Sequence, residues 1–185
     1  MTPASSPFNL FDYFLGDNTL AEIGANTAIQ FRGPGITYSE LRDVTHSWAA
    51  RLAGRGVREG DRIALLLFDS PEFIACFLAA TRIGAVVVPI NTFLPTEDVT
   101  FILSDSGARA LIVESELLER VNHSGFHKSS VLVIDTDSRT LLEETAEAAP
   151  FVDALTTRLT PGFLLYTSGS TGTPKGVLHL HGSIP

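Results

Sequence analysis

A short segment near the C-terminus combines the residue types that bind phosphate groups. Residues 167–176 read Thr-Ser-Gly-Ser-Thr-Gly-Thr-Pro-Lys-Gly. Glycines let a backbone approach an anion closely and adopt positive φ angles, and consecutive N–H groups can form a concave anion site. The hydroxyl groups add hydrogen-bond donors or a ligand for Mg²⁺, and Lys175 adds a positive charge on a flexible stem. The segment is therefore predicted to bind a polyphosphate.

The surroundings of this segment separate it from other glycine-rich sequences. A flexible linker has a similar composition, but this segment directly follows an apolar run, residues 162–166, that predicts a buried strand. A Walker A loop needs a lysine followed by Ser or Thr at the start of a helix, whereas Lys175 is followed by glycine and two apolar residues. A nucleophile elbow, Gly-x-Ser-x-Gly, fits neither serine, because Tyr166 and Ser168 occupy the required glycine positions. A P-loop nucleotidase and a serine hydrolase are therefore disfavoured.

The elements that must position this loop alternate between strands and helices. Thr37 and Glu40 form a capping-box pair that opens a helix ending near Gly54 or Gly56. The predicted apolar face of this helix consists of Leu41, Val44, Trp48 and Leu52. The other predicted helices are 71–83, one from Thr96 to Gly107, a short one at 116–121 and one near 141–148. The predicted strands are 28–31, 62–68, 85–90, 110–113, 131–134 and 162–166.

This alternation predicts an α/β fold, with a parallel or mixed sheet flanked by helices. Ligands of such sheets bind beyond the carboxyl ends of the strands. The loop after Tyr166 lies at such an end.

At this point the sequence resembles a known family. Residues 166–176 closely resemble the phosphate-binding loop of the adenylate-forming superfamily, which contains acyl- and aryl-CoA synthetases, peptide synthetase adenylation domains and luciferases. Residues 84–92, residues 105–108 and residues 36–41 agree with the same superfamily. The resemblance extends from about Phe8 to the end of the chain.

The resemblance implies a reaction in two halves. A carboxylate attacks the α-phosphate of Mg·ATP to give an acyl-adenylate and pyrophosphate, and a thiol, often that of CoA, then displaces AMP. The implied cofactors are ATP and Mg²⁺, with CoA as co-substrate, and a hydroxyl of Thr167 or Thr171 would help to place the metal. The residues implied to bind the ATP phosphates are Thr167, Ser168, Gly169, Ser170, Thr171, Gly172, Thr173 and Lys175.

The resemblance also implies that residues 1–185 are a partial N-terminal AMP-binding domain, with the C-terminal domain absent. The family's catalytic lysine lies beyond Pro185, so no catalytic residue is assigned in this chain. We expect an inactive fragment with exposed apolar surface and a tendency to self-associate. The alternative is a truncated, non-catalytic module that binds nucleotide or protein.

Residues 89–92 look more like those of CoA ligases than those of peptide synthetase domains. The stretch from Asn91 to Val113 is similar to benzoate-type ligases and to fatty-acid CoA ligases. The sequence therefore predicts an acyl- or aryl-CoA ligase as the complete protein, and leaves the acid open.

Composition excludes several other classes. The chain has 185 residues, a net charge of −8 and 13 scattered basic residues, which disfavours nucleic acid as a partner. The single cysteine, Cys76, is predicted to be a buried apolar residue. Residues 73–90 contain one charge, Arg82, and are interpreted as a helix and a strand, not a membrane span. The N-terminus lacks a basic segment, so we expect a cytoplasmic protein without a secretory signal.

Three weaker patterns have simpler interpretations. Residues 54–60 follow a helix and do not have the spacing of a dinucleotide fingerprint. His123 and His127 are interpreted as loop residues, because a Ser-Gly pair interrupts any helix between them. His179 and His181 alternate along a predicted strand and are expected to line the nucleotide cleft, with a metal site as the alternative.

Acidic pairs on two predicted helices have no assigned role in chemistry. They are Glu97 with Asp98 and Glu143 with Glu144. Both pairs are interpreted as helix-dipole and surface charges.

Overall fold

The computed structural model describes residues 6–121, 131–135, 140–141, 149–167 and 172–184. Its α-helices are α1 (Leu10–Leu15), α2 (Asp17–Ile23), α3 (Tyr38–Gly54), α4 (Pro71–Arg82) and α5 (Thr96–Asp105). Two 3₁₀ helices span Ser115–Val121 and His181–Ser183. The strands are β1 (Thr27–Ile29), β2 (Ile36–Thr37), β3 (Arg62–Leu66), β4 (Val86–Pro89), β5 (Ala110–Glu114), β6 (Val131–Asp135), β7 (Thr140–Leu141), β8 (Pro161–Thr167) and β9 (Lys175–Leu180).

The described strands other than β1 and β2 form a mixed sheet in the order β7-β6-β5-β3-β4-β8-β9. The five inner strands are parallel, and β7 and β9 pair antiparallel at the two edges. The predicted α/β class with a parallel or mixed sheet is therefore confirmed. The parallel connections bring the carboxyl ends of β3, β4, β5, β6 and β8 to one edge of the sheet.

The two faces of the sheet explain why its strands read as continuous apolar runs. In β3, Ile63 and Leu65 pack with α1, α3 and α4, whereas Ala64 and Leu66 pack with α5 and the first 3₁₀ helix. Successive side chains of a strand point to opposite faces. A strand covered on both faces must therefore be apolar at every position.

Helix α3 begins where the capping box predicts. The N–H of Glu40 donates to Thr37 Oγ1 at 3.2 Å, and the N–H of Thr37 donates to Glu40 Oε2 at 2.8 Å. Three of the four predicted core positions, Leu41, Trp48 and Leu52, are buried.

The prediction was wrong for Val44, which is 39% exposed. At about 100° of rotation per residue, position 44 lies roughly 60° to one side of the line through 41, 48 and 52. It therefore falls on the rim of the helix–sheet contact.

Helix α4 begins at a second local signal. Ser70 Oγ accepts a hydrogen bond from the N–H of Phe73 at 3.2 Å, and Pro71 occupies the first turn. Cys76 is fully buried in this helix, as predicted. The helix and β4 confirm the interpretation of residues 73–90. Within the described part of the chain, no helix has the length and apolar composition needed to cross a bilayer.

Two other predictions differ from the structure or fall outside it. Leu141 was predicted to start a helix, but it pairs with Ile134 in the antiparallel edge ladder of β7, so tertiary pairing overrides the local pattern. The rest of that predicted helix, residues 142–148, lies outside the described residues, as do Glu143, Glu144, His123 and His127. Glu97 and Asp98 occupy the first turn of α5, where acidic residues oppose the helix dipole favourably.

Candidate functional site

The predicted phosphate loop connects two paired strands. Strands β8 and β9 form an antiparallel hairpin, and Thr167 opposite Lys175 is its last pair. Ser168, Gly169, Ser170 and Thr171 lie outside the described residues. Of the eight predicted phosphate ligands, the structure therefore describes four: Thr167, Gly172, Thr173 and Lys175.

The hairpin opens at the carboxyl edge of the sheet. Strand β8 runs parallel to β4, with Phe163 level with Val87. Because β4 is also parallel to β3, Thr167 ends β8 at the edge where the other parallel strands end. Strand β9 starts from the same edge with Lys175. This is the edge at which open α/β sheets bind ligands.

The described part of the loop is open to solvent. Thr167, Gly172, Thr173 and Lys175 are all exposed. Gly172 has φ +86°, and no atom lies within 4 Å of the place where a Cβ would stand, so backbone conformation and not crowding favours glycine there. Lys175 forms no salt bridge with another described residue. Among the described residues, no carboxylate therefore competes for the Lys175 ammonium group, and its charge fits the phosphates of ATP.

The base of the hairpin is joined to helix α5 by a residue that the sequence indicated only as part of a strand. The hydroxyl of Tyr166 donates to Asp105 Oδ2 at 2.6 Å. Burial, with this hydrogen bond as a second cause, raises the pKa of Tyr166. The hydroxyl therefore stays protonated as a donor to the carboxylate. The sequence contained one indirect indication of this contact, because both residues lie in segments that resemble the adenylate-forming superfamily.

Across the hairpin, the Tyr166 ring lies against Gly176. A Cβ at position 176 would lie 3.2 Å from Tyr166 Cζ and 3.1 Å from Leu164 Cδ1. Such distances are tight for carbon contacts. Glycine at 176 therefore leaves the space in which the tyrosine ring sits.

The loop after β4 ends at the same edge. The N–H of Phe93 donates to Asn91 Oδ1 at 2.9 Å, which stabilises the turn after β4. Arg120 holds this loop through hydrogen bonds to the carbonyl groups of Thr92, at 2.6 Å, and of Leu94. Phe93 is 94% exposed on it. The β4 loop and the hairpin are neighbours because β4 and β8 are adjacent strands.

The predicted placement of the two histidines was wrong for His181. Strand β9 ends at Leu180, so His181 belongs to the following 3₁₀ helix and is fully buried. Its Nδ1 accepts a hydrogen bond from the N–H of Leu10 at 3.1 Å. Burial lowers the pKa of His181 to about 4. His181 therefore anchors helix α1 and does not line a cleft.

The structure also describes the surroundings of His179 and bears on the alternative of a metal site. The His179 ring stacks on Phe163, with 4.8 Å between ring centroids and 2° between ring planes. Among the described residues, no group of three or more His, Cys, Asp and Glu side chains could hold a metal ion.

Apolar side chains are exposed along the hairpin, as expected. Val177 is 47% exposed and Leu178 is 52% exposed, on opposite faces of the edge strand β9. Val152, Leu155 and Leu159 are exposed in the segment before β8. Self-association through these residues stays a prediction.

Comparison with known proteins places these features in one family. The family described as AMP-binding enzyme matches residues 18–184. A 3-hydroxybenzoate–CoA/4-hydroxybenzoate–CoA ligase of Thauera aromatica is 31% identical over 185 residues, covering 95% of this chain and 35% of that protein. The long-chain-fatty-acid–CoA ligase FadD13 of Mycobacterium tuberculosis is 37% identical over 154 residues, covering 80% of this chain and 30% of that protein.

The fold is also similar to a solved structure. The anthranilate CoA ligase AuaEII, in complex with anthranoyl-AMP, superimposes with a TM-score of 0.82 at 27% identity and covers 97% of this chain and 35% of its own. The chain thus spans about a third of the length of the relatives that it matches. With the family match over residues 18–184 and the hairpin at the carboxyl edge of its sheet, this chain belongs to the AMP-binding enzymes.

Proposed function

We propose that this chain provides the triphosphate-binding part of an enzyme that activates a carboxylic acid with ATP, as an acyl- or aryl-CoA ligase does. The observation that carries the proposal is the hairpin of β8 and β9, which presents Thr167 and Lys175 side by side at the carboxyl edge of the sheet. In the proposed site, residues 167–175 surround the β- and γ-phosphates of ATP.

The chemistry requires positioning and charge neutralisation more than covalent participation by the protein. The carboxylate oxygen of the acid bonds to the α-phosphorus, and the bond from that phosphorus to the bridging oxygen of pyrophosphate breaks. Lys175 and the loop N–H groups would neutralise the charge on the departing pyrophosphate. Mg²⁺, bound to the phosphates and placed by Thr167 or Thr171, would add positive charge. CoA would supply the thiol that displaces AMP.

The relatives suggest the class of acid. Their names refer to hydroxybenzoate, anthranilate and long-chain fatty acids. We therefore propose an aromatic or fatty acid as substrate of the ligase of which residues 1–185 form the N-terminal AMP-binding part.

The first experiment is a calorimetric titration of the chain with Mg·ATP. We expect saturable binding that the Lys175→Ala variant weakens about tenfold, since a hydrogen bond to a charged group contributes roughly 1.5–3 kcal/mol. Arg58→Ala is the control for the change in net charge, because Arg58 is exposed in the loop before β3, at the opposite edge of the sheet. Equal affinity of the wild type and Lys175→Ala would remove Lys175 from the site.

A second experiment separates catalysis from binding. ATP–pyrophosphate exchange is measured with 3-hydroxybenzoate, anthranilate and a long-chain fatty acid in turn. We expect no exchange by the chain alone, and exchange that depends on one of these acids would contradict the expectation of an inactive fragment. Binding without exchange supports a module that holds nucleotide but does not activate an acid by itself.

A further inference from the structure

Two of the segments that resemble the adenylate-forming superfamily, residues 166–176 and 105–108, meet through one hydrogen bond. Tyr166 and Asp105 are 61 positions apart, and their side chains are 2.6 Å apart at Oη and Oδ2. Tyr166 immediately precedes Thr167, and its partner in the hairpin, Gly176, immediately follows Lys175. The Tyr166–Asp105 hydrogen bond therefore holds the hairpin pair that is next to the proposed phosphate ligands Thr167 and Lys175.

Asp105 provides a fixed attachment point. It is the last residue of α5, and this helix is held in the core on one face of the sheet by Val99, Ile102 and Leu103. The Tyr166 ring packs against the same cluster. A strand end bonded to this helix has little freedom to move relative to the sheet.

The ring of Tyr166 transmits this constraint across the hairpin. It covers Gly176, where a Cβ would lie 3.2 Å from Cζ and 3.4 Å from Cε1. The position of the backbone at 176 thus depends on the position of the ring. Lys175 is the adjacent residue, and it has no described salt bridge of its own to orient it.

We propose that Tyr166 and Asp105 are positioning residues of the phosphate site, which hold the base of the hairpin so that Lys175 faces the nucleotide. This inference rests on the proposed function. In this proposal both side chains act through the hairpin and not by direct contact with the phosphates. Asp105 is a carboxylate that would repel them, and the tyrosine hydroxyl occupies one of its oxygens.

The test is a double-mutant cycle on Mg·ATP affinity in the full 185-residue chain. Tyr166→Phe removes the hydroxyl and keeps the ring, and we expect it to weaken binding about fivefold to tenfold, the change in affinity that corresponds to a typical net hydrogen bond of about 1 kcal/mol. Asp105→Asn keeps an acceptor oxygen and should stay within about twofold of the wild type, whereas Asp105→Ala should match Tyr166→Phe. Tyr38→Phe is the matched control, because Tyr38 packs on the opposite face of the sheet.

Combining Tyr166→Phe with a substitution of Lys175 distinguishes a positioning role from a general effect on stability. If the tyrosine acts through the lysine, Tyr166→Phe has little further effect in Lys175→Gln, because coupled residues are not additive. The same fold-loss in both backgrounds, or no loss in the wild type, overturns the positioning role and leaves the proposed function standing. A wild-type chain that does not bind Mg·ATP overturns both.

A second measurement needs no nucleotide. Native-state hydrogen exchange reports local opening of the amides at residues 175–177. We expect Tyr166→Phe to speed their exchange several-fold while the amides of β3 keep their rates. Unchanged exchange at the hairpin, or equal acceleration throughout the sheet, overturns the inference.

Discussion

Arg82 Nε lies 2.6 Å from Asp153 Oδ1, and the second pair of atoms, Arg82 Nη2 and Asp153 Oδ2, is 3.2 Å apart. The guanidinium group also lies 4.2 Å from the ring centre of Phe11 and 5.0 Å from that of Phe151. Only 11% of the Arg82 side chain is exposed. This arginine therefore ties the end of α4 to α1 and to the segment that leads into β8.

The arginine contacts predict a clear ranking of variants. Arg82→Lys keeps the charge but loses the paired, planar geometry, and should lower the free energy of unfolding by about 1 kcal/mol. Arg82→Ala also loses the ring contacts and should lower it by about 2–3 kcal/mol. Urea denaturation measures both. The control is Arg42→Ala, whose pair with the 88% exposed Asp17 should contribute about 0.5 kcal/mol or less. Equal losses at Arg42 and Arg82 would contradict the ranking.

A pair of glycines separates crowding from backbone strain. Gly60 and Gly84 have φ angles of +81° and +75°, but a Cβ would have no neighbour within 4 Å at Gly60 and would lie 2.8 Å from both Ala154 Cβ and Glu59 Cγ at Gly84. Gly60→Ala should lower the free energy of unfolding by about 1 kcal/mol through strain alone. Gly84→Ala should lower it by about 2–3 kcal/mol, because overpacking adds to the strain. Thermal denaturation measures the difference, which disappears if strain dominates at both positions.

His181 predicts a loss of stability in acid. Its pKa is about 4 in the folded chain against an ordinary value of 6.5, so the unfolded chain binds this proton more readily between these pH values. Above pH 6.5 protonation of His181 does not reduce the free energy of unfolding. As the pH falls from 6.5 towards 4, the free energy of unfolding decreases by up to about 3 kcal/mol.

The measurement is the free energy of unfolding at several pH values for the wild type and His181→Gln. We expect the difference between them to shrink as the pH falls from 6.5 to 4, because glutamine takes up no proton. His179→Gln is the matched control for exchange of a nearby histidine by glutamine. A difference that is constant with pH would show that His181 does not titrate in this range.

Gly176 predicts a defect at the base of the hairpin. Gly176→Ala forces the new methyl group against Leu164 Cδ1 and Tyr166 Cζ, at 3.1 and 3.2 Å. We expect a loss of about 1 kcal/mol in the free energy of unfolding and weaker binding of Mg·ATP. The loss of stability should be smaller in a Tyr166→Ala background, where part of the crowding is gone. The same loss in both backgrounds would show that the ring does not constrain position 176.

Local signals were sufficient to predict most elements. Helix α3 starts after its cap Thr37 and ends at Gly54, and α4 starts after Ser70, because caps and breakers act over three or four residues. The phosphate-binding role proposed for residues 166–176 was predictable for the same reason, since the order of glycines, hydroxyls and lysine is contained in one short segment.

Two of the wrong predictions concern residues whose partners belong to another element of the fold. Leu141 joins a strand because Ile134 offers it a partner. His181 is buried because it accepts a hydrogen bond from the N–H of Leu10, 171 positions away. The residue types next to Leu141 and His181 do not specify these pairings, so the position of neither residue could be derived from them.

The sequence by itself determined most of the elements, the α/β class and the residue types of the loop, since these depend on residue types at short spacing. The tertiary structure alone decided the strand order, which places β8 beside β4 and leaves β9 at an edge. It also decided that Tyr166 meets Asp105. The physical reason is that contacts between distant segments form only where the crossovers of the sheet bring them together, and their energies depend on that geometry and not on the local sequence.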